Sequence, residues 1–161
     1  MADRKQEIIE AGIEIFAAKG YYNTHISDIV EVVGIAKGTF YLYFNSKKDL
    51  FITLIKRFET IFSALFDSEM LNYADQDLKS VFIQILKKVF NLYKNNENLS
   101  IIILREAVAV NHKFSHEFRA MEAKRLQRLK NLYQFLVAGN YLSSEIDFDY
   151  FACVFLGIME V

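Results

Sequence analysis

Between Gly34 and Lys48 the chain holds three lysines and no acid. Lys37, Lys47 and Lys48 supply positive charge, and Thr39, Tyr41 and Tyr43 supply hydroxyls. Gly38 lets a backbone come close to whatever lies opposite. Such a set suits a polyanion. Affinity for DNA is largely electrostatic, so a local basic face counts for more than overall charge. Hydroxyls and lysines position a duplex through its phosphates, while the Thr39 methyl has the shape to meet a thymine methyl. An ordinary helical hairpin with a solvated lysine cluster over an aromatic core would present the same residues. Periodicity alone does not separate the two readings.

The elements that must carry these residues are helices. Ile26–Val33 has Ile29, Val30, Val32 and Val33 at helical spacing, which predicts apolar contacts. Gly34 ends it, since a residue after a helix often needs positive φ. Ile35 plugs the turn. A second helix over Lys37–Phe44 carries Phe40 and Phe44 four residues apart, able to face inward together. Lys37, Thr39, Tyr41 and Tyr43 fall on other faces. Two short helices about a tight turn form the layout of a helix-turn-helix, whose second helix enters the major groove. Before them, Asp3–Lys19 reads as a buttressing helix with Ile9, Ile13, Phe16 and Ala17 inward and Gly20 as its stop. Arg4 and Lys5 at its start lie near DNA phosphates or are merely solvated. After them, Ser46 reads as the N-cap of a helix over Lys47–Phe66, with Asp49 in its first turn. Its apolar stripe is Leu50, Leu54, Phe58, Phe62 and Leu65. A helix N-terminus favours anions, so Ser46 and Lys47 make a candidate phosphate clamp.

The run GYYNTHISDIVEVVGIAKGTFYLYFNSKKDLF resembles the signature of the TetR (tetracycline-repressor) family of bacterial transcription regulators. The family pattern is a glycine and an aromatic, then T-T-x-x-D-I-A, then A-G-V-S-K-G-T-L-Y-x-Y-F-x-S-K-E-E-L. The matching runs here are Gly20-Tyr21, Thr24 to Val30, Val33 to Phe44 and Ser46 to Leu50. His25 departs from the usual Thr or Ser, and Tyr43 stands where His is common. The resemblance implies DNA contacts from Ser27, Lys37, Gly38, Thr39, Tyr41, Tyr43 and Lys47. It implies an all-α fold: a three-helix head, residues 1–46, on a helical ligand-binding and dimerisation body, residues 47–161. It also implies a homodimeric repressor that leaves a palindromic DNA operator when a small effector binds. Members usually carry one more helix after the last one here, so the sequence reads as truncated at its C-terminal end.

Composition bounds the rest. The chain has 161 residues and a net charge of −1, so any nucleic-acid binding must be local. A single cysteine, Cys153, leaves no intrachain disulfide, in keeping with a reducing cytoplasm. The start is charged and amphipathic rather than a signal peptide, and no apolar run is long enough to span a membrane. Proline is absent, and glycine is missing from Thr39 through Ala138, which predicts long helices. The polar stretch Asp67–Asp75 reads as a connection. Gln76–Asn95 is amphipathic, with Leu78, Val81, Phe82, Ile85, Leu86, Val89 and Tyr93 on one face. Asn98–Val110 is apolar nearly all round and reads as a buried central helix. Lys113–Ala138 has Phe114, Phe118, Met121, Leu126, Leu129, Tyr133 and Leu136 inward and a solvated basic face. Gly139-Asn140 ends it, and a last apolar helix from Asp147 is expected to meet a partner subunit.

Other constellations carry less chemistry. His112 and His116 are four apart with Glu117 beside them, but no third metal ligand has the right spacing, so no metal is expected. Cys153 reads as a buried structural thiol. No nucleophile motif or phosphate-binding glycine loop occurs, so neither an enzyme nor a cofactor is expected. Phe90, Tyr93, Arg105, Phe118 and Tyr133 are the candidate lining of an effector pocket. The richness in Phe, Ile and Leu favours an apolar or amphipathic effector. The competing reading is a ligand-independent DNA-binding or protein-interaction module whose body is filled.

Overall fold

The computed structural model describes residues 4–67, 77–107 and 115–160, and every described element is helical. In order they are α1 (Arg4–Lys19), α2 (Ile26–Val33), α3 (Lys37–Tyr41), α4 (Lys47–Asp67), α5 (Leu78–Asn95) and α6 (Glu97–Ile101). A π-helical turn (Ile102–Ala107), α7 (Ser115–Ala138) and α8 (Phe148–Glu160) follow. The chain divides into two compact units, Met1–Val110 and Asn111–Val161.

In the first unit α1 is the hub. Ile8, Ile9, Ala11, Ile13, Ile15, Phe16 and Ala17 are all buried. That stripe is wider than a single helix contact needs, because α1 packs against α2, α4 and α6. Phe16 meets Phe51 edge to face at 5.5 Å, a preferred aromatic geometry. Gly12 lets α4 approach closely: a Cβ there would sit 2.9 Å from Leu50 Cδ2.

The helix-turn-helix closes through a Schellman cap. Gly34 has φ 71°, its N–H donates to Glu31 O, and the Ile35 N–H donates to Val30 O. The left-handed residue frees the chain to turn at once. Ile29 and Val30 are buried, but Val32 is exposed. The expectation that Val32 packs inward therefore fails, because an eight-residue helix against α1 has only one covered side. Helix α3 is shorter than expected and ends at Tyr41. Phe44 still folds back, its N–H donating to Phe40 O. Both rings are buried with centroids 5.7 Å apart.

Helix α4 starts on the expected cap. Ser46 Oγ accepts from the Asp49 N–H at 3.1 Å, and the Asp49 carboxylate accepts from the Asn45 N–H at 3.0 Å. Each side chain satisfies a backbone donor that the helix start leaves open. Leu50, Phe51, Leu54, Ile55 and Phe58 are buried along one face. Tyr93 of α5 packs on Phe58 at 5.7 Å.

The helix expected over Asn98–Val110 runs without a break through Ala107, and residues 108–110 lie outside the described residues. Among the described residues it is α6 followed by the π-helical turn, with Leu99, Ser100 and Ile102 buried and Leu104 exposed. One face is covered by the head rather than the whole circumference. In the second unit α7 and α8 pair through Tyr133, whose ring lies 5.7 Å from Phe148 and 5.5 Å from Phe151. Asn140, with φ 57°, caps α7 as the Tyr141 N–H donates to Leu136 O. Leu129 and Ala152 are buried, whereas Leu126, Tyr150 and Val154 are exposed. Leu126 thus departs from the expected inward stripe. Cys153 is exposed too, against the expectation of a buried thiol, because its side of α8 has no covering element among the described residues.

Candidate nucleic-acid interface

The α1–α2 turn is held by polar contacts that aim the rest. Thr24 is fully buried and its hydroxyl donates to Gly20 O at 2.7 Å, so the burial costs no hydrogen bond. His25 occupies the N-cap of α2 in extended conformation without a side-chain cap of its own. Asp28 closes the start instead, accepting from the His25 N–H at 2.9 Å. That hydrogen bond, with Lys19 Nζ at 3.4 Å, holds the Asp28 carboxyl below its usual range.

On this frame α3 leaves Lys37, Gly38, Tyr41 and Tyr43 exposed and Thr39 half-buried. Its opposite side is fixed by Phe40, which is fully buried and meets the Tyr41 ring edge to face at 5.5 Å. Ser27, at the start of α2, is half-buried. A Cβ built on Gly38 would meet nothing within 4 Å, so the protein itself does not require glycine there. Leu42 was absent from the sequence-derived contact set, yet it is 81% exposed between the two tyrosines. Its position two residues past Phe40 and two before Phe44 was the available signal.

Lys47 sits differently from the rest. Its ammonium donates to Tyr21 O and Thr24 O at 2.6 Å each, with Tyr22 O at 3.5 Å. It also lies 4.5 Å from the centroid of the Tyr21 ring. Burial lowers its pKa, and Asp28 partly opposes that shift. Lys47, expected at a phosphate, is placed with its ammonium on carbonyls of the α1–α2 turn. A helix start favours an anion, although at α4 the Asp49 N–H is already taken by Ser46 Oγ.

These positions fall within a recognised sequence pattern. Residues 8–54 match the family model described as bacterial regulatory proteins, tetR family. The fatty acid metabolism regulator protein of Bacillus subtilis (strain 168) is 32% identical over 96 residues, covering 60% of this chain and 48% of that one. Over this segment the chain is similar to the tetR family. It spans about half the length of that curated relative. The fold also recurs in solved structures. The fatty acid degradation regulator FadR from Bacillus halodurans superposes with TM-score 0.82 at 20% identity, covering 99% of this chain and 82% of that one. The transcriptional regulator FadR from Bacillus subtilis, in complex with stearoyl-CoA, gives 0.79 at 21% identity, with 96% and 82% covered.

The candidate pocket residues fall in both units. Phe90 is exposed on α5, and the Tyr93 ring lies tilted against Phe58. Arg105 donates to Ala17 O at 2.8 Å and to Phe16 O at 3.3 Å. The Tyr133 hydroxyl donates to Ile146 O at 2.7 Å within the second unit. The Phe118 side chain, His112 and the His116 side chain lie outside the described residues. An open groove of about 360 Å³ is lined by Ile61, Lys88, Asn91, Leu92, Asn95 and Asn96, and none of the five candidates is among them. No helix among the described residues is long and apolar enough to cross a membrane.

Proposed function

We propose that this chain is a transcription regulator rather than an enzyme. It binds a palindromic operator as a homodimer in the cytoplasm and acts as a repressor released by an amphipathic effector. The observation that carries the reading is the exposed face of α3. Lys37, Gly38, Tyr41 and Tyr43 stand in solvent while Phe40 and Phe44 anchor the helix from behind. Lys37 reaches a phosphate, Gly38 lets the backbone approach one, and Thr39, Tyr41 and Tyr43 contact phosphates or base edges. Ser27 adds a hydroxyl at the start of α2. Lys47 contributes through the backbone at the start of α4 rather than through its ammonium.

Two heads occupy successive major grooves about 34–36 Å apart. The effector acts by favouring a head spacing that no longer fits, which requires it to bind the two states unequally. A long-chain acyl-CoA has the proposed chemistry, an apolar tail with a polar head. One solved relative of similar fold is held in complex with stearoyl-CoA. The test is a fluorescent duplex, taken from a binding-site selection, titrated with protein and then with stearoyl-CoA. The reading predicts saturable release of the duplex. Tight duplex binding that no acyl-CoA relieves would refute the effector assignment.

A further inference from the structure

The carboxyl end of α1 and the turn that follows it are each held by a cation from a distant element. Lys47, at the start of α4, binds the carbonyls of Tyr21 and Thr24. Arg105, 88 positions beyond Ala17, reaches Ala17 O and Phe16 O. Those two carbonyls belong to the last turn of α1, where a helix leaves acceptors open and its dipole favours positive charge. Both bonds come from one terminal nitrogen, Nη2, whose two N–H groups can serve two acceptors at once.

The element that delivers Arg105 is unusual. It is a π-helical turn, an arrangement rare in proteins and concentrated at functional sites. Leu99, just before it, and Ile102, its first residue, are buried, in a segment that packs on both α1 and α4. The segment is therefore seated on the head by apolar packing at one point and by a charged cap at the next. Gly20, the residue that turns the chain out of α1, donates its N–H to Phe16 O at 2.9 Å. Arg105 thus shares an acceptor with the bond that sets the α1–α2 turn, and that turn aims α2 and α3.

We propose that Arg105 is a positioning residue that ties the α6–π segment to the DNA-binding head by capping the carboxyl end of α1. A shift of that segment then alters the α1–α2 turn and the aim of α3. The consequence for DNA rests on the regulator reading above, whereas the mechanical link does not.

The test uses the full chain, Arg105→Met, which keeps an apolar stem, and Arg105→Lys, which keeps the charge. Amide hydrogen exchange is followed residue by residue, and affinity is measured for a duplex from a binding-site selection. Arg105→Met is expected to speed exchange at Gly20 at least tenfold, leave Ile29 and Val30 unchanged, and shift the duplex dissociation constant at least threefold. Arg105→Lys is expected to recover part of both effects. Unchanged exchange at Gly20, or equal acceleration throughout the unit, would overturn the proposal. So would faster exchange at Gly20 with unaltered duplex affinity. If the wild-type chain selects no duplex, the regulator reading fails, and the exchange pattern alone decides the mechanical link.

Discussion

Replacing Lys47 with Met separates a structural lysine from a phosphate-binding one. The substitution keeps most of the apolar stem and removes an ammonium that donates to two carbonyls at 2.6 Å. Hydrogen bonds made by a charged group contribute about 1.5–3 kcal/mol each. Water reaches this ammonium, the freed carbonyls regain hydration, and burial already works against the charge. The expected loss for the whole contact is therefore only about 1–2 kcal/mol. For a chain of this size that corresponds to a fall in melting temperature of roughly 2–8 °C. Circular dichroism of the full chain measures it. Duplex affinity across a salt series measures the other half. If the ammonium serves the α1–α2 turn, the slope of log affinity against log salt stays at the wild-type value. If it neutralises a phosphate, the slope falls by about 0.9. An unaltered melting temperature with a slope reduced by that amount would refute the assignment.

Three further outcomes are expected. Tyr41→Ala removes an exposed ring and hydroxyl and should weaken duplex binding about tenfold, or roughly 1.4 kcal/mol, with helical content by circular dichroism unchanged; unaltered affinity would take Tyr41 out of the interface. Gly34→Ala forces a side chain onto φ 71° and should cost about 1–2 kcal/mol of stability in urea unfolding, although no neighbouring atom lies within 4 Å. The carboxyl of Asp28 lies below 3.8 because the His25 N–H donates to it and Lys19 is close by. Its stabilisation is complete above that value and is lost as pH falls through the lower folded pKa, so Asp28→Asn should flatten the acid limb of stability below about pH 4; an acid limb identical to wild type would contradict this.

The head was legible in the sequence because its signals are local. Gly34 between two apolar helical runs, the four-residue interval from Phe40 to Phe44, and Ser46 followed by Asp49 each fix a turn, a facing pair or a cap within a few residues. The same locality explains where the reading went astray. Val32 and Leu126 have the right phase for a core, but burial depends on what covers a face. For Lys47, charge and helix position point to a phosphate, and nothing in the spacing reveals the carbonyls 23 to 26 residues earlier that its ammonium meets. Arg105 interrupts an apolar run, which leaves a cavity lining and a pairing with a neighbouring helix equally open. Its partners are on α1, and nothing in the spacing links position 105 to positions 16 and 17. Long-range polar pairing leaves no periodic trace, whereas helical packing does.

The central claim is that the exposed face of α3 reads a specific duplex. The most direct measurement is a binding-site selection with the full chain on a random duplex library at fixed, physiological salt. The account predicts enrichment of a palindrome whose half-sites lie about one helical turn apart, and loss of that enrichment in Tyr41→Ala. Binding without any enriched sequence, by a chain that remains folded and helical, would contradict it.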